Sequence, residues 1–550
     1  MKKLYVIIIS VFSLSNIFAQ TTPDTIWSRT LGGSLYEAYG IFLKGKAAID
    51  ITQDEKYLYV GTTSSSIDGD VADTLGNLDG WVIKLDAQTG KTVWKDVMGG
   101  SYYDHITDIT ATSDGGCIVC GFSNSLDGDF ENKGLHLNLN IPEYIFTDGF
   151  IAKYSAEGVL EWTKMYGGQP LARDTYIGED ELYKIINTKD GNYLAIGYTF
   201  STSDDIPVDL EKFMGGWILK VDKDGKILYT DKFVGTNHDE YNDNKFIDVI
   251  ETQENVFYLA GEQAYVKAQG NVMLLENYVW VVKSDGKQIL EQAEYGTSQS
   301  ETWVTGITQA EDNSLLVAAT VRSGGGDISQ AYGDFDVWVM KMNESLGLQD
   351  ERTYGGTGPD FPYGIVSDNN GHFLMPCFTR SSDYDAIGGF GMLDFWTLNI
   401  EQDLDTVQTL RLGGTQNDRL TDAVFTKNGS KVYITGRTDS NDNYVSNNKG
   451  NGDIWVSAVN QEVSLSIDDK IQDNFETEIF PNPSNGVFSI LKLKNSTYKI
   501  SDIAGKKIQS GKIFSDNHSI DLRNSNRGIY FVEIKKQGCD KRIVTKFVIN

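Results

Sequence analysis

Short strand-like stretches recur along the chain, each preceded by a polar turn and followed by a loop of Ser, Asp and Gly. Five copies show the pattern: TSDGGCIVCGFSNSLDGD from Thr112, TKDGNYLAIGYTFSTSDD from Thr188, TQDEKYLYVGTTSSSIDGD from Thr52, AEDNSLLVAATVRSGGGD from Ala310 and TKNGSKVYITGRTDSND from Thr426. In each, apolar positions alternate with polar ones or run together, as a half-buried or fully buried β-strand requires. Nothing in these stretches has the 3.6-residue period of a helix, so an all-β chain is predicted.

Two further markers keep step with this pattern. The first is a strand carrying a large ring: Trp81, Phe150, Trp217, Trp280, Trp338, Trp396 and Trp455. The second is a glycine turn at Gly32, Gly99, Gly167, Gly235, Gly296, Gly355 and Gly413, usually followed by a second glycine. Successive turns are 67, 68, 68, 61, 59 and 58 residues apart. Repeats of roughly sixty residues with about four strands each predict the blades of a β-propeller. Such small sheets have two apolar faces and bury them only against neighbours. Seven blades are expected over residues 20–460, with six or eight as the alternatives. The segment WSRTLGG from Trp27 matches later outer strands, so it is expected to complete the blade opened last, near Gly452 to Asn460. A β-helix would need shorter coils, and a string of β-sandwiches would need linkers between wider units.

Composition refines this picture. Residues 1–19 combine Lys2 and Lys3, an apolar run too short to span a bilayer, and small Ala19, which together predict a secretory signal peptide. No later run approaches the length of a membrane helix, so no transmembrane segment is expected in the mature chain. The formal charge is −29 over 550 residues. Residues 478–550 hold 13 Lys and Arg against 6 Asp and Glu, a net of +7, which leaves −36 for the rest. That division predicts separate modules, and the acidic body argues against a nucleic-acid partner. Cys117 and Cys120 lie three apart, on opposite faces of a strand, and fall where other copies carry Tyr, Leu, Ile or Val. They are expected as buried thiols rather than a disulfide or a metal site.

Residues 461–477 break the repeat and read as a linker. The segment that follows, 478–550, alternates strands with Gly and Asn turns, which predicts a small Ig-like β-sandwich. Here Pro481, Asn482, Pro483, Asn485, Gly486, the turn from Asp502 to Ile508, Gly528, Tyr530 and Lys546 occur in an order that resembles the type A C-terminal sorting domain of the Bacteroidetes type IX secretion system. The resemblance implies export through the periplasm, recognition by the type IX outer-membrane translocon, and a final place at the outer-membrane surface or in the medium. Cys539 departs from that pattern. The repeat region is similar, more loosely, to secreted repeat proteins that carry this tail, some of which bear hydrolase names including endoglucanase.

An acidic residue follows most glycine turns: Glu37, Asp104, Glu240, Glu301, Asp360 and Asp418, with Asp174, Glu179 or Glu181 in the longer third copy. Projected to one mouth of a ring, these would form a negative collar able to meet cations or sugar hydroxyls; turned inward, they would cap their own turns. The Asp-Gly-Asp loops at Asp68 and Asp70, and at Asp127 and Asp129, gather hard oxygen ligands. Calcium is the one metal such loops could take, though none completes a calcium-loop motif, and no other cofactor is expected. No nucleophile elbow, metalloprotease motif or phosphate loop is present, and no catalytic residue is assigned. The inserts at Glu131 to Thr147 and Glu262 to Asn277 break the symmetry, which is where a ligand site should be sought. The reading that follows is a secreted, non-catalytic propeller binding an extracellular glycan or protein. A glycan-active hydrolase is the alternative and a surface-layer role the third.

Overall fold

The computed structural model describes residues 25–38, 46–71, 74–131, 147–169, 179–207, 214–235, 242–269, 272–297, 301–404 and 406–460, and most of 479–549. The expected signal peptide, the linker 461–477 and Glu240 lie outside the described residues, as do Pro481, Asn482, Pro483, Gly486 and Cys539. The chain divides into two compact units, Met1–Gln461 and Glu462–Asn550.

The first unit is a β-propeller. Its described residues form seven antiparallel sheets of four strands, one of them with a short extra strand. In the first blade, Ala48–Ile51, Tyr57–Ser64, Asp79–Asp86 and Thr92–Met98 pair in chain order. These positions are called inner, second, third and outer. The remaining blades span 104–166, 180–233, 242–295, 302–354 and 360–412, and the last takes its inner three strands from 418–460. Its outer strand is Thr25–Leu31, which pairs with Asp453–Asn460 and closes the ring as the WSRTLGG match predicts.

Neighbouring blades share their cores. Leu31, Val60, Trp81, Ile83, Tyr433 and Val456 pack in one cluster, which joins the last blade to the first. All seven marker rings are buried, each on a third strand. Cys117 packs in the cluster toward the first blade and Cys120 in the cluster toward the third, on opposite faces of one strand. Both are free, as is Cys377, and burial raises their thiol pKa values. A thiol held protonated this way is a small hydrophobe, not a nucleophile.

Polar ties repeat around the ring. On three marked strands a lysine reaches a turn of the following blade: Lys84 Nζ donates to Ala156 O at 2.8 Å, Lys283 to Glu344 O at 3.3 Å and Lys341 to Gln402 O at 3.1 Å. Lys220, almost fully buried, meets Asp190 at 2.6 Å and Asn255 at 2.7 Å. Carboxylates of the inner strands staple adjacent blades near the axis. Asp108 accepts from Ile185 N–H (3.0 Å), Asp248 from Ile307 N–H (2.9 Å), Asp422 from Ile49 N–H (3.0 Å) and Asp50 from Ala111 N–H (2.8 Å). Lys184 converges on this group. Burial pushes its ammonium pKa down, but Asp108, Asp248 and Asp422 outweigh that and hold it above the ordinary value.

The second unit is the expected β-sandwich. One sheet orders Ile479–Phe480, Val487–Leu491 and Asn517–Asp521; the other orders Lys507–Ile513, Ser496–Asp502, Gly528–Lys536 and Arg542–Ile549. Phe488, Ile490, Ile500, Ile520, Tyr530 and Val532 fill the space between them. Tyr530 Oη donates to Asn526 O at 2.6 Å, Gly528 begins its strand, and Lys546 pairs with Phe531. No described helix is long and apolar enough to cross a membrane.

Candidate functional site

The acidic residues after the glycine turns have a common environment. Asp104 accepts from Gly100 N–H (2.7 Å), Ser125 Oγ (2.9 Å) and Ser123 Oγ. Asp360 and Asp418 accept from Gly356 N–H and Gly414 N–H, both at 2.7 Å, and from Ser381 and Ser440. All three are fully buried. A second buried carboxylate opens the third strand of five blades, Asp79, Asp148, Asp336, Asp394 and Asp453, and faces the inner strand of the next blade. The two acids meet at the blade junction, beneath the first glycine of the turn. A Cβ at Gly167 would stand 2.7 Å from Asp180 Oδ2 and 2.8 Å from Asp148 Oδ1, so only glycine fits there. At the closing junction Glu37 and Asp453 crowd Gly32 in the same way.

Burial raises the carboxyl pKa of Glu37, Asp79 and six others of this group. Asp104, Asp336, Asp360 and Asp418 are pushed to about 6. Asp180, with the Asp148 charge adding to burial, and Asp453, with Glu37 adding to it, are pushed to about 7. Hydroxyl and N–H donors offset part of the shift.

Register corrects three of the sequence assignments. The position that Asp104 occupies belongs in the third blade to Asp180, not Asp174, Glu179 or Glu181, because Asp180 pairs with Thr199 as Asp104 pairs with Ser123. In the fourth blade it belongs to Asn244 rather than Glu240, and in the fifth to Thr302 rather than Glu301. Glu301 instead lies half exposed, 3.3 Å from Arg322. Counting residues from a glycine cannot find these positions because the turns differ in length.

The Asp-Gly-Asp loops clamp the same turns. Asp127 accepts from Ser101 N–H (2.7 Å) and Asp129 from Gly99 N–H (2.9 Å). Asp68 accepts from Ser34 N–H (2.6 Å) and Asp70 from Gly32 N–H (3.2 Å), and Lys449 also contacts Asp70. Gly128, at φ 64°, lies against Gly99 O, where a side chain would collide. Among the described residues no three His, Cys, Asp or Glu side chains converge in a way that would hold a metal ion.

The face bearing these turns is not symmetric just inside the clamps. Each inner strand pairs its next residue with one on the second strand, just below the turn-bearing mouth of the ring, where Phe122, Glu181, Tyr198 and Glu262 are buried. In blades two to seven these cross-strand pairs are His105 with Phe122, Glu181 with Tyr198, Lys245 with Glu262, Trp303 with Thr320, Phe361 with Phe378 and Arg419 with Arg437. Around the fifth to seventh blades they form a continuous aromatic tract. Trp303 stacks on Phe335 (5.0 Å), Phe335 lies 5.1 Å from Phe361, and Phe361 stacks on Phe378 (4.9 Å). Arg419 lies over Phe378 at 5.6 Å, Arg322 over Phe335 at 5.1 Å and Arg437 over Tyr36 at 5.6 Å. These rings are only partly buried, unlike the seven marker rings.

The third and fourth blades offer different chemistry. Tyr183 Oη donates to Glu181 (2.9 Å) and Tyr198 Oη to Glu179 (2.7 Å). Lys245 pairs with Glu262 at 3.0 Å, and burial raises the Glu262 carboxyl pKa. The fourth blade also carries the symmetry break noted at Glu262 to Asn277. Its second and third strands, Val256–Gln269 and Val272–Ser284, have 14 and 13 residues where the second blade's have seven each, Cys117–Ser123 and Asp148–Tyr154. The other irregular insert lies almost wholly outside the described residues. The mouth tract escaped the sequence reading because its members have no shared residue type; the departure from symmetry was its only signal.

Comparison with known proteins separates the two units. Residues 478–550 match the secretion system C-terminal sorting domain family. No curated protein matches the chain in sequence. Among solved structures, the chain is similar in fold to PorZ, an essential bacterial surface component of the type-IX secretion system of Porphyromonas gingivalis. The identity is 11%, the TM-score 0.36, and the match covers 91% of this chain and 59% of that one. A PL25 ulvan lyase matches at 9% identity and TM-score 0.46, covering 80% and 96%. The α-L-arabinofuranosidase Arb93A of Fusarium graminearum matches at 12% and 0.37, covering 80% and 98%.

Proposed function

We propose that this chain, which ends in a type IX sorting domain and is therefore exported to the cell surface or secreted, binds an extracellular glycan at the mouth of its propeller. The observation that carries the reading is the tract from Trp303 through Phe335 and Phe361 to Phe378, flanked by Arg322 and Arg419. Large rings left partly open favour the C–H faces of pyranose rings, and adjacent guanidinium groups supply directional donors to sugar oxygens. Such a surface needs rigid support, which the shared cores and the clamped turns provide. The remaining acidic body keeps the protein soluble and turns away dense polyanions.

The test is a glycan array and affinity electrophoresis with the mature chain, beside the Trp303→Ala and Phe361→Ala variants. Binding to at least one glycan, weakened by about tenfold in each variant, is expected from the loss of a stacked ring. No binding across the array, or binding indifferent to both changes, refutes it. A second reading is favoured by the hydroxyl–carboxylate pairs Tyr183–Glu181 and Tyr198–Glu179, which could move protons during glycan cleavage. Release of reducing ends from a polysaccharide panel, abolished in Glu181→Gln, would support it.

A further inference from the structure

We infer that the glycan carries sparse carboxylate groups, and that Arg419 reads one of them. This rests on the glycan-binding reading and narrows it to a ligand class. Residues 1–460 contain eight arginines: 29, 173, 322, 352, 380, 411, 419 and 437. Most of those at or near the mouth are already engaged. Arg322 meets Glu301 (3.3 Å) and Asp334 (3.2 Å), Arg437 meets Asp439 (3.2 Å), and Arg411 is buried against Asp394 (2.6 Å).

Arg419 differs. Among the described residues no carboxylate forms an ion pair with it; its Nε is buried without a hydrogen-bond partner, as are those of Arg411 and Arg437, so the missing carboxylate is what sets it apart. Its guanidinium lies over the Phe378 ring at 5.6 Å, and with Nε buried its terminal Nη groups are the edge left to donate. In a body with a net charge of −36, carboxylates are abundant, so an arginine left without one stands out. A guanidinium held by an aromatic face presents a bidentate edge to a carboxylate, the geometry that a single uronic acid would complete. The neighbouring rings would seat the flanking neutral sugars.

Magnitudes set the charge density of the ligand. At physiological salt the screening length is about 8 Å, so one carboxylate at Arg419 is governed by its immediate surroundings. A dense polyanion would lay further charges along the Asp- and Glu-rich loops around the mouth, where each meets repulsion. One guanidinium matches one anion per binding register.

The experiment uses the mature chain and three uronate-bearing polysaccharides, glucuronoxylan, xanthan and gum arabic, each beside its carboxyl-reduced form, with heparin as a dense polyanion. Affinity electrophoresis and calorimetry read the binding. At least one uronate-bearing polymer should bind, and carboxyl reduction or Arg419→Ala should each weaken that binding by about tenfold or more. Arg419→Lys should restore only part of the loss, and the thermal midpoint of each variant reports whether the fold is kept. Equal binding of native and carboxyl-reduced polymers, or unchanged binding by Arg419→Ala, overturns the inference while leaving a neutral-glycan reading intact. Tighter binding to heparin than to every uronate polymer also overturns it. Absence of binding here and across the wider glycan array removes both.

Discussion

The seven marker rings occupy equivalent places but not equivalent hydrogen-bonding environments, and the difference makes a quantitative prediction. Trp338 Nε1 donates to Glu351 Oε2 at 2.7 Å, whereas Trp81 Nε1 is buried with no partner. Both rings are buried against neighbouring blades. The second blade already carries Phe150 at this position, so the site accepts a smaller ring. Replacing either tryptophan by phenylalanine removes ring atoms from a packed core, which costs on the order of 1–2 kcal/mol. At Trp81 the change also removes an unsatisfied donor, returning about 1–3 kcal/mol, so Trp81→Phe should be close to neutral. At Trp338 it breaks a hydrogen bond to a carboxylate, adding about 1.5–3 kcal/mol, so Trp338→Phe should lose roughly 3–4 kcal/mol in all. Urea denaturation of the mature chain followed by far-UV circular dichroism compares the two. Equal midpoint shifts, or the larger loss at Trp81, would show that buried N–H satisfaction does not distinguish the blades.

Three other outcomes are expected. The propeller should lose thermal stability as pH rises from about 4 to 8 and level off above: an unfolded Asp ionises near 3.8, whereas Asp180 and Asp453 do so near 7 and Asp104, Asp336, Asp360 and Asp418 near 6, so the folded state binds more protons in that window. Each such group contributes at most about 1.4 kcal/mol per pH unit, and a midpoint that climbs over this range would contradict the assignment. Deleting residues up to Leu31 removes the outer strand of the last blade, with the bonds from Trp27 Nε1 to Ala87 O (3.1 Å) and Arg29 to Gly90 O (2.7 Å). The truncated chain should unfold less cooperatively and be cut faster by protease, and an unchanged proteolysis rate would refute the closure. Lys220→Met leaves the Asp190 carboxylate of its own blade without its buried cation and breaks the bond to Asn255 of the next blade, and should cost on the order of 3 kcal/mol by urea denaturation; a neutral result would mean that this buried lysine contributes nothing.

Much of this protein is legible without coordinates. The period of roughly sixty residues, the marker rings and the glycine turns determine a ring of small sheets, because a sheet with two apolar faces has to be covered on both. The match of WSRTLGG to later outer strands determines the closure, and the motifs from Pro481 onward determine the terminal sorting domain. What the sequence leaves undecided is direction. Asp104 and Glu301 look alike in the chain, yet one is buried beneath a turn and the other pairs with Arg322 at the surface, because strand register, set by pairing across the sheet, decides which side chain faces the junction. Trp303, Phe335, Phe361, Phe378 and Arg419 lie on five different strands and loops with no common motif or spacing. Only the folding of three blades side by side brings each within about 5 to 6 Å of the next, and a contact between strands so far apart in the chain leaves no periodic trace in it.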